Sequence, residues 1–203
     1  KNKFSFSKNK NYQYINYDLR NKKFDLNILN NSDTVVILAS LVGDPISNKY
    51  KKATKSINII ATKKFIEKSI KAGVKKLIFV STCSNYGLIE TNLAAKENYK
   101  LNPLSPYAKS KVEIEKFLIK KTRNKIKTKI SILRFATAFG FSERMRFDLT
   151  VNEFIKTIMQ KKKLIIYDEN TWRPYCHVKD FARLIYKIFK SSSKTNLDIL
   201  NVG

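Results

Sequence analysis

Two side chains four positions apart, Tyr107 and Lys111, can do acid–base chemistry if a helix brings them to one face. An ammonium close to a phenol stabilises the phenolate and lowers its pKa, which would make Tyr107 a proton donor and acceptor near neutral pH. The spacing alone is weak evidence in a chain with 10 tyrosines and so many lysines. It recurs at Tyr175/Lys179 and Tyr186/Lys190. The Tyr186 pair lies within an amphipathic segment with no strand end before it, and reads as a solvated helix face. Tyr107 differs in its context. Ser105-Pro106 ahead of it is helix-opening chemistry. Further upstream, an apolar run ends in Thr82-Cys83-Ser84-Asn85-Tyr86-Gly87, a cluster of small hydroxyl residues.

The elements that must position these residues alternate in type. Strand-like runs fall at 14–17, 34–39, 77–81, 129–135, 164–167 and 199–202, and helical spacing at 52–72, 105–122, 148–160 and 178–190. Gly73 follows the first helix where a C-cap glycine belongs. The runs at 34–39 and 77–81 are apolar at successive positions, as strands buried on both faces are. This alternation predicts an α/β fold, a parallel sheet with helices on both faces. Ligands of such sheets sit at the carboxyl ends of the strands. Chemistry is therefore expected after Ala39, Ser81 and Phe135.

Composition narrows the class. The 203 residues are 43% hydrophobic, enough for a core and too many for a disordered tail. Five glycines and four prolines exclude collagen-like and low-complexity chains. No run approaches the ~18 apolar residues of a membrane span, and no signal-peptide order is present. Cys83, Cys176 and a single histidine supply neither a disulfide framework nor a structural zinc site. No metal is expected, and the expected setting is a reducing cytoplasm. The formal charge of +25 would attract polyanions. Yet only seven of the 41 cations are arginine, the residue that nucleic-acid readers favour. Lysine spread evenly beside Asn and Ile reads as compositional drift, so nucleic acid is not an expected partner.

Five stretches, taken in order, carry a resemblance: Ile37-Leu38-Ala39-Ser40-Leu41-Val42-Gly43-Asp44-Pro45, Ser81 to Gly87, Asn102-Pro103-Leu104-Ser105-Pro106-Tyr107-Ala108-Lys109-Ser110-Lys111, Leu133-Arg134-Phe135-Ala136-Thr137-Ala138-Phe139-Gly140 and Trp172-Arg173-Pro174-Tyr175-Cys176-His177-Val178-Lys179-Asp180. Together they resemble the extended short-chain dehydrogenase/reductases, the NAD-dependent epimerase/dehydratase family that acts on nucleotide sugars. The resemblance implies a Rossmann-like, doubly wound parallel sheet truncated at its N-terminus, with part of a small C-terminal substrate lobe. It divides the chain into a partial cofactor domain, 1–140, and a partial lobe, 141–203, interleaved with the last sheet elements. The family's opening strand, glycine-rich turn and helix have no counterpart here. The 203 residues alone are therefore expected to be unstable and to bind cofactor poorly.

The resemblance also assigns roles. Tyr107 resembles the catalytic acid/base, Lys111 the residue that lowers its pKa and holds the nicotinamide ribose, and Thr82 the hydroxyl that bonds the reacting oxygen. Asp18, Leu19, Ala39, Ser40, Leu41, Asn58, Ser81 and Phe135, with Tyr107 and Lys111, fall at positions that hold NAD; NADP is not excluded. Thr82, Ser84, Thr137, Asn152 and Arg173 fall at substrate-facing positions, Arg173 suiting a diphosphate through its bidentate fork. His177 is expected to pack structurally. Members that eliminate water or decarboxylate carry an acid two places after the threonine. Here that place is Ser84. This leaves a nucleotide-sugar epimerase of the UDP-glucose 4-epimerase kind as the leading expectation. A ketoreductase consuming NAD(P)H and a non-catalytic basic binding module are the alternatives. A homodimer is implied as the assembly.

Overall fold

The computed structural model describes residues 10–21, 27–89, 94–167, 169–192 and 195–203. Its centre is a parallel sheet of β1 (Thr34–Ile37), β2 (Lys76–Thr82), β3 (Lys129–Phe135) and β6 (Leu197–Val202), in the order β1-β2-β3-β6. Val35 pairs with Leu77, Leu77 with Ile130, and Ile130 with Leu197, so the apolar runs lie in register. The α/β, Rossmann-like expectation is met.

Strand pleating divides each apolar run between two faces. Leu77, Phe79, Ile130 and Ile132 turn to one face. There they form the core with Ile66 of α4 (Thr62–Lys71) and with Ile114 and Leu118 of α5 (Pro106–Thr122). Phe135 turns to the other face and stacks on Phe181 of α7 (Val178–Lys190), ring centroids 3.8 Å apart. Helices thus cover both faces. Lys76, also on the second face, donates to the carbonyls of Ile188 at 3.0 Å and Phe189 at 2.6 Å, and to that of Ser191. These are the acceptors a helix leaves unsatisfied at its C-terminus. Lys76→Met is expected to destabilise the fold by about 1–2 kcal/mol, read as a lower melting temperature; an unchanged melt would show the cap to be idle.

The helical segment foreseen at 52–72 begins earlier and is not uniform. A one-turn α1 (Asn27–Asn30) precedes β1. After β1 come α2 (Asp44–Lys49), with proline in its first turn, α3 (Lys51–Thr54), a π-helical stretch at Lys55–Ala61, and α4. Gly73 follows α4 with φ +79°, the left-handed conformation expected of it. α5 opens as expected, with the Ser105 hydroxyl accepting the Ala108 amide at 3.2 Å.

Two expected strands are absent. Residues 14–17 and 164–167 form no ladder, because no strand among the described residues lies beside them. Ile165 and Ile166 are exposed rather than inserted in a sheet. Conversely, β4 (Thr137–Phe139) and β5 (Tyr175–His177) pair as a second, two-stranded parallel sheet. At three residues each they are too short to show a period. α6 (Thr150–Met159) lies between them in sequence. No helix among the described residues is long and apolar enough to cross a membrane.

Candidate functional site

The site is built first at the end of β2. Thr82 is the last residue of the strand and caps a 3₁₀ turn, Cys83–Tyr86, by accepting the Ser84 amide at 3.2 Å. The turn folds because a short side-chain oxygen at its first position replaces the missing backbone acceptor. The first turn of α5 lays Tyr107 against this strand end, where the Thr82 hydroxyl is near enough to the phenol to lower its pKa. One helical turn on, Lys111 is 4% exposed. Its ammonium donates to the Val80 carbonyl at 2.7 Å and lies 4.8 Å from the Phe79 ring centre and 5.7 Å from that of Tyr107. The predicted Thr82, Tyr107 and Lys111 are therefore brought together.

Their electrostatics differ from the expectation. Loss of water around the phenol pushes the Tyr107 pKa up to about 12, and Cys83 and Asp44 add to the rise; the Thr82 hydroxyl and the Arg146 guanidinium pull the other way. Burial pushes Lys111 down to about 8, opposed by the Glu115 carboxylate. The lysine gives its ammonium to a carbonyl instead of the phenol, so Tyr107 stands as a neutral proton donor rather than a group poised near pH 7.

Stability should carry the signature of these two groups. Lys111 binds its proton less tightly folded than unfolded, so its contribution rises with pH between about 8 and 10.5, where the unfolded chain holds the proton and the folded chain has released it. The displacement corresponds to roughly 3 kcal/mol over that interval. Tyr107 works oppositely: between 10 and about 12 the folded chain keeps a proton that the unfolded chain loses, and stability falls as pH rises. Lys111→Met should flatten the rise in denaturant midpoint between pH 8 and 10.5. A variant as pH-dependent as the parent over that interval would contradict this account.

At the end of β1, Asn58 lies in the π-helical stretch, an irregularity common at functional sites. Its Oδ1 accepts the Leu41 amide at 2.8 Å, while Nδ2 donates to the Leu41 carbonyl at 3.1 Å and to Ser110 Oγ at 3.2 Å. Asn58 thus staples the 39–41 loop to α5 beside Lys111. Ala39 is exposed and Ser40 partly so, yet Ser40 Oγ is buried with no hydrogen-bond partner. A lone hydroxyl of that kind calls for a ligand or water. Ser40, with the Leu41 backbone and Lys111 nearby on α5, fits a polar cofactor passing over this strand end. Leu19 lines a cleft of about 340 Å³ with Ser56, Ile60, Ala61 and Phe65. Asp18 is exposed and bound to Arg20 at 2.5 Å, which holds its carboxyl at about 2.

At the end of β3, Phe135 has one ring face taken by Phe181. Thr137 is half-buried and donates its amide to the Pro174 carbonyl at 3.0 Å. Asn152 is buried and turned to its own loop: Oδ1 accepts the Gly140 amide at 3.2 Å and Nδ2 donates to the Arg146 carbonyl at 3.1 Å. Arg173 is exposed and acts on the Cys83 thiol, partly offsetting the burial that raises the thiol's pKa. His177 accepts the Lys179 amide at 3.2 Å and meets Phe139 edge-on, a packing and capping role as expected.

Sequence reasoning missed Arg146. It comes from the loop that Asn152 pins, pairs with Asp148 at 2.5 Å, and brings Nη2 to 3.5 Å from where a Cβ on Gly43 would stand. It therefore reaches Gly43, the residue before α2, within the field of Tyr107. No spacing rule announces such a contact, because it depends on how a long loop folds back.

Hydroxyl, phenol and buried ammonium, gathered at the carboxyl ends of parallel strands, mark the candidate site of a Rossmann-like α/β protein. The chain belongs to the NAD dependent epimerase/dehydratase family, whose profile matches residues 1–203. It is 33% identical over 127 residues to an uncharacterized UDP-glucose epimerase of Bacillus subtilis, covering 62% of this chain and 39% of that protein. It is 32% identical over 149 residues to a UDP-glucuronate 4-epimerase of Thermodesulfobacterium geofontis, covering 72% and 43%. Among solved structures, the UDP-glucuronic acid 4-epimerase of Bacillus cereus in complex with NAD superposes with a TM-score of 0.85 at 27% identity, covering 98% of this chain and 62% of that one. The chain thus spans about two fifths of the length of these sequence relatives.

Proposed function

We propose that the protein to which this chain belongs is an NAD-dependent nucleotide-sugar epimerase acting on a UDP-sugar. The observation that carries the reading is the Thr82–Tyr107 hydroxyl pair at the end of β2, backed by the buried Lys111. NAD, when bound, supplies the chemistry of taking a hydride from a sugar carbon and returning it. Ser40, Leu41 and Lys111 would hold it, with Leu19 in the other cleft and Asp18 exposed next to it in sequence. Thr82 would orient the sugar hydroxyl, and Tyr107, once the Thr82 hydroxyl and the Arg146 guanidinium have stabilised its phenolate, would take that hydroxyl's proton and later return it. Arg173 and Thr137 would face the substrate. Ser84 stands where an elimination would need an acid, which favours epimerisation over dehydration.

The homologous epimerases that match most of this chain support the assignment. The division into a cofactor part, 1–140, and a lobe, 141–203, a homodimer and a cytoplasmic setting belong to the same reading. The test is native mass spectrometry of the complete reading-frame product, followed by incubation with UDP-glucose and UDP-glucuronic acid. Copurified NAD, one per subunit, with interconversion of 4-epimers is the expected result. Net consumption of NAD(P)H with a keto sugar nucleotide would replace the reading by a reductase, and neither activity would return it to a binding module.

A further inference from the structure

Beneath Thr82 lies a buried polar cluster that the proton relay just described does not use. Glu115 follows Lys111 by one turn on the inner face of α5, and the two are 1% and 4% exposed. Glu115 Oε1 accepts from Ser81 Oγ at 2.5 Å and from Asn85 Nδ2 at 2.7 Å. Arg134 of β3 donates Nε to both carboxylate oxygens at 3.2 Å and Nη2 to Oε2 at 2.7 Å. Its Nη1 continues to Tyr86 Oη at 2.7 Å and to the Glu97 carbonyl at 2.8 Å. Lys111 meanwhile holds the Val80 carbonyl. Two side chains one turn apart, on the helix that carries Tyr107, thus grip Val80 and Ser81 before Thr82 and Asn85 after it.

A buried ion pair is a poor device for stability alone, since well-packed apolar side chains commonly do as well. Its place here is informative. It brackets the one residue whose hydroxyl must meet the phenol, and it sets a negative charge one turn from a buried ammonium. We propose that Glu115 is a positioning residue for the reaction at Tyr107, fixing the Thr82 hydroxyl against the phenol and balancing the charge of Lys111. The proposal rests on the epimerase reading. The groups facing Lys111 are Tyr107 and Glu115 from α5 and the Val80 carbonyl and Phe79 ring from β2, with Arg134 of β3 behind Glu115.

The test uses the full-length protein and the double variant Glu115→Met/Arg134→Met, which removes both charges and keeps the volume filled. It is expected to melt cooperatively, with kcat lower by on the order of 100-fold and little change in KM. The alkaline limb of its pH–rate profile should move to lower pH, because Lys111 loses its proton more easily without the carboxylate. Ser81→Ala, which keeps the ion pair, should lower kcat less and leave that limb in place. A folded double variant with parental kcat and pH profile would overturn the proposal. Should the double variant fail to fold, Glu115→Gln is read in the same way. If the parent protein turns over no UDP-sugar, the epimerase reading fails by itself. The Lys111 arm is then read from stability: the rise of the urea midpoint with pH should begin lower in the variant, and an unmoved rise would overturn it.

Discussion

Tyr107→Phe is expected to lower the epimerisation rate by about 10²–10⁴-fold, the usual scale for losing a positioned acid/base, while the fold melts close to the parent temperature. The substitution deletes one oxygen. The ring stays half-buried on the first turn of α5, and the Ser105 cap and the apolar face of the helix are untouched. What is lost is the proton carrier and its polar neighbourhood with Thr82. In the folded chain the phenol holds its proton up to about pH 12, chiefly because burial has stripped it of water. A proton therefore leaves it only when the site stabilises the phenolate, and the Thr82 hydroxyl and the Arg146 guanidinium are the groups that do so. Thr82→Ala should accordingly cost less than Tyr107→Phe. A Tyr107→Phe enzyme within threefold of the parent in kcat, assayed by 4-epimer interconversion, would remove Tyr107 from the chemistry.

Gly87→Ala is expected to be the most damaging single methyl added to the fold. Gly87 ends the 3₁₀ turn with φ +70° and ψ −144°, a region that side chains other than hydrogen rarely enter. A Cβ there would stand 2.1 Å from the Asn102 carbonyl oxygen, a backbone atom that cannot swing aside. The Asn102 amide is itself bound to the Asn85 carbonyl at 3.0 Å, so relief would require separating two hydrogen-bonded segments. Backbone strain and overpacking together predict a loss of about 3–5 kcal/mol, a fall in melting temperature on the order of 10 °C. Activity should drop with it, because the same turn carries Thr82, Cys83 and Asn85. An alanine variant melting within about 2 °C of the parent would contradict the close approach at Gly87.

Much of the arrangement is legible before folding is considered. The apolar runs of β2 and β3 are long enough to show their type and their ends, and Ser105-Pro106 marks where α5 starts. The two runs that failed, 14–17 and 164–167, are as apolar as real strands. Whether such a run becomes a strand depends on a neighbour to receive its hydrogen bonds, and composition does not report neighbours. The short β4 and β5 failed in the opposite sense: three residues that pair with each other across an intervening helix leave no periodic trace.

The site divides in the same way. Which residue types stand at the strand ends, and that Tyr107 and Lys111 share a helix face, could be read from the order of residues, because both follow from local spacing within one element. What those groups do to one another came from folding. It sent the Lys111 ammonium to the Val80 carbonyl rather than the phenol, turned Asn58 and Asn152 into staples for loops, brought Arg146 up to Gly43, and buried Glu115 against Arg134. Each outcome depends on which side chains lose water and which partners remain within hydrogen-bond reach. Those distances and burials arise between residues far apart in the chain, so no local pattern contains them.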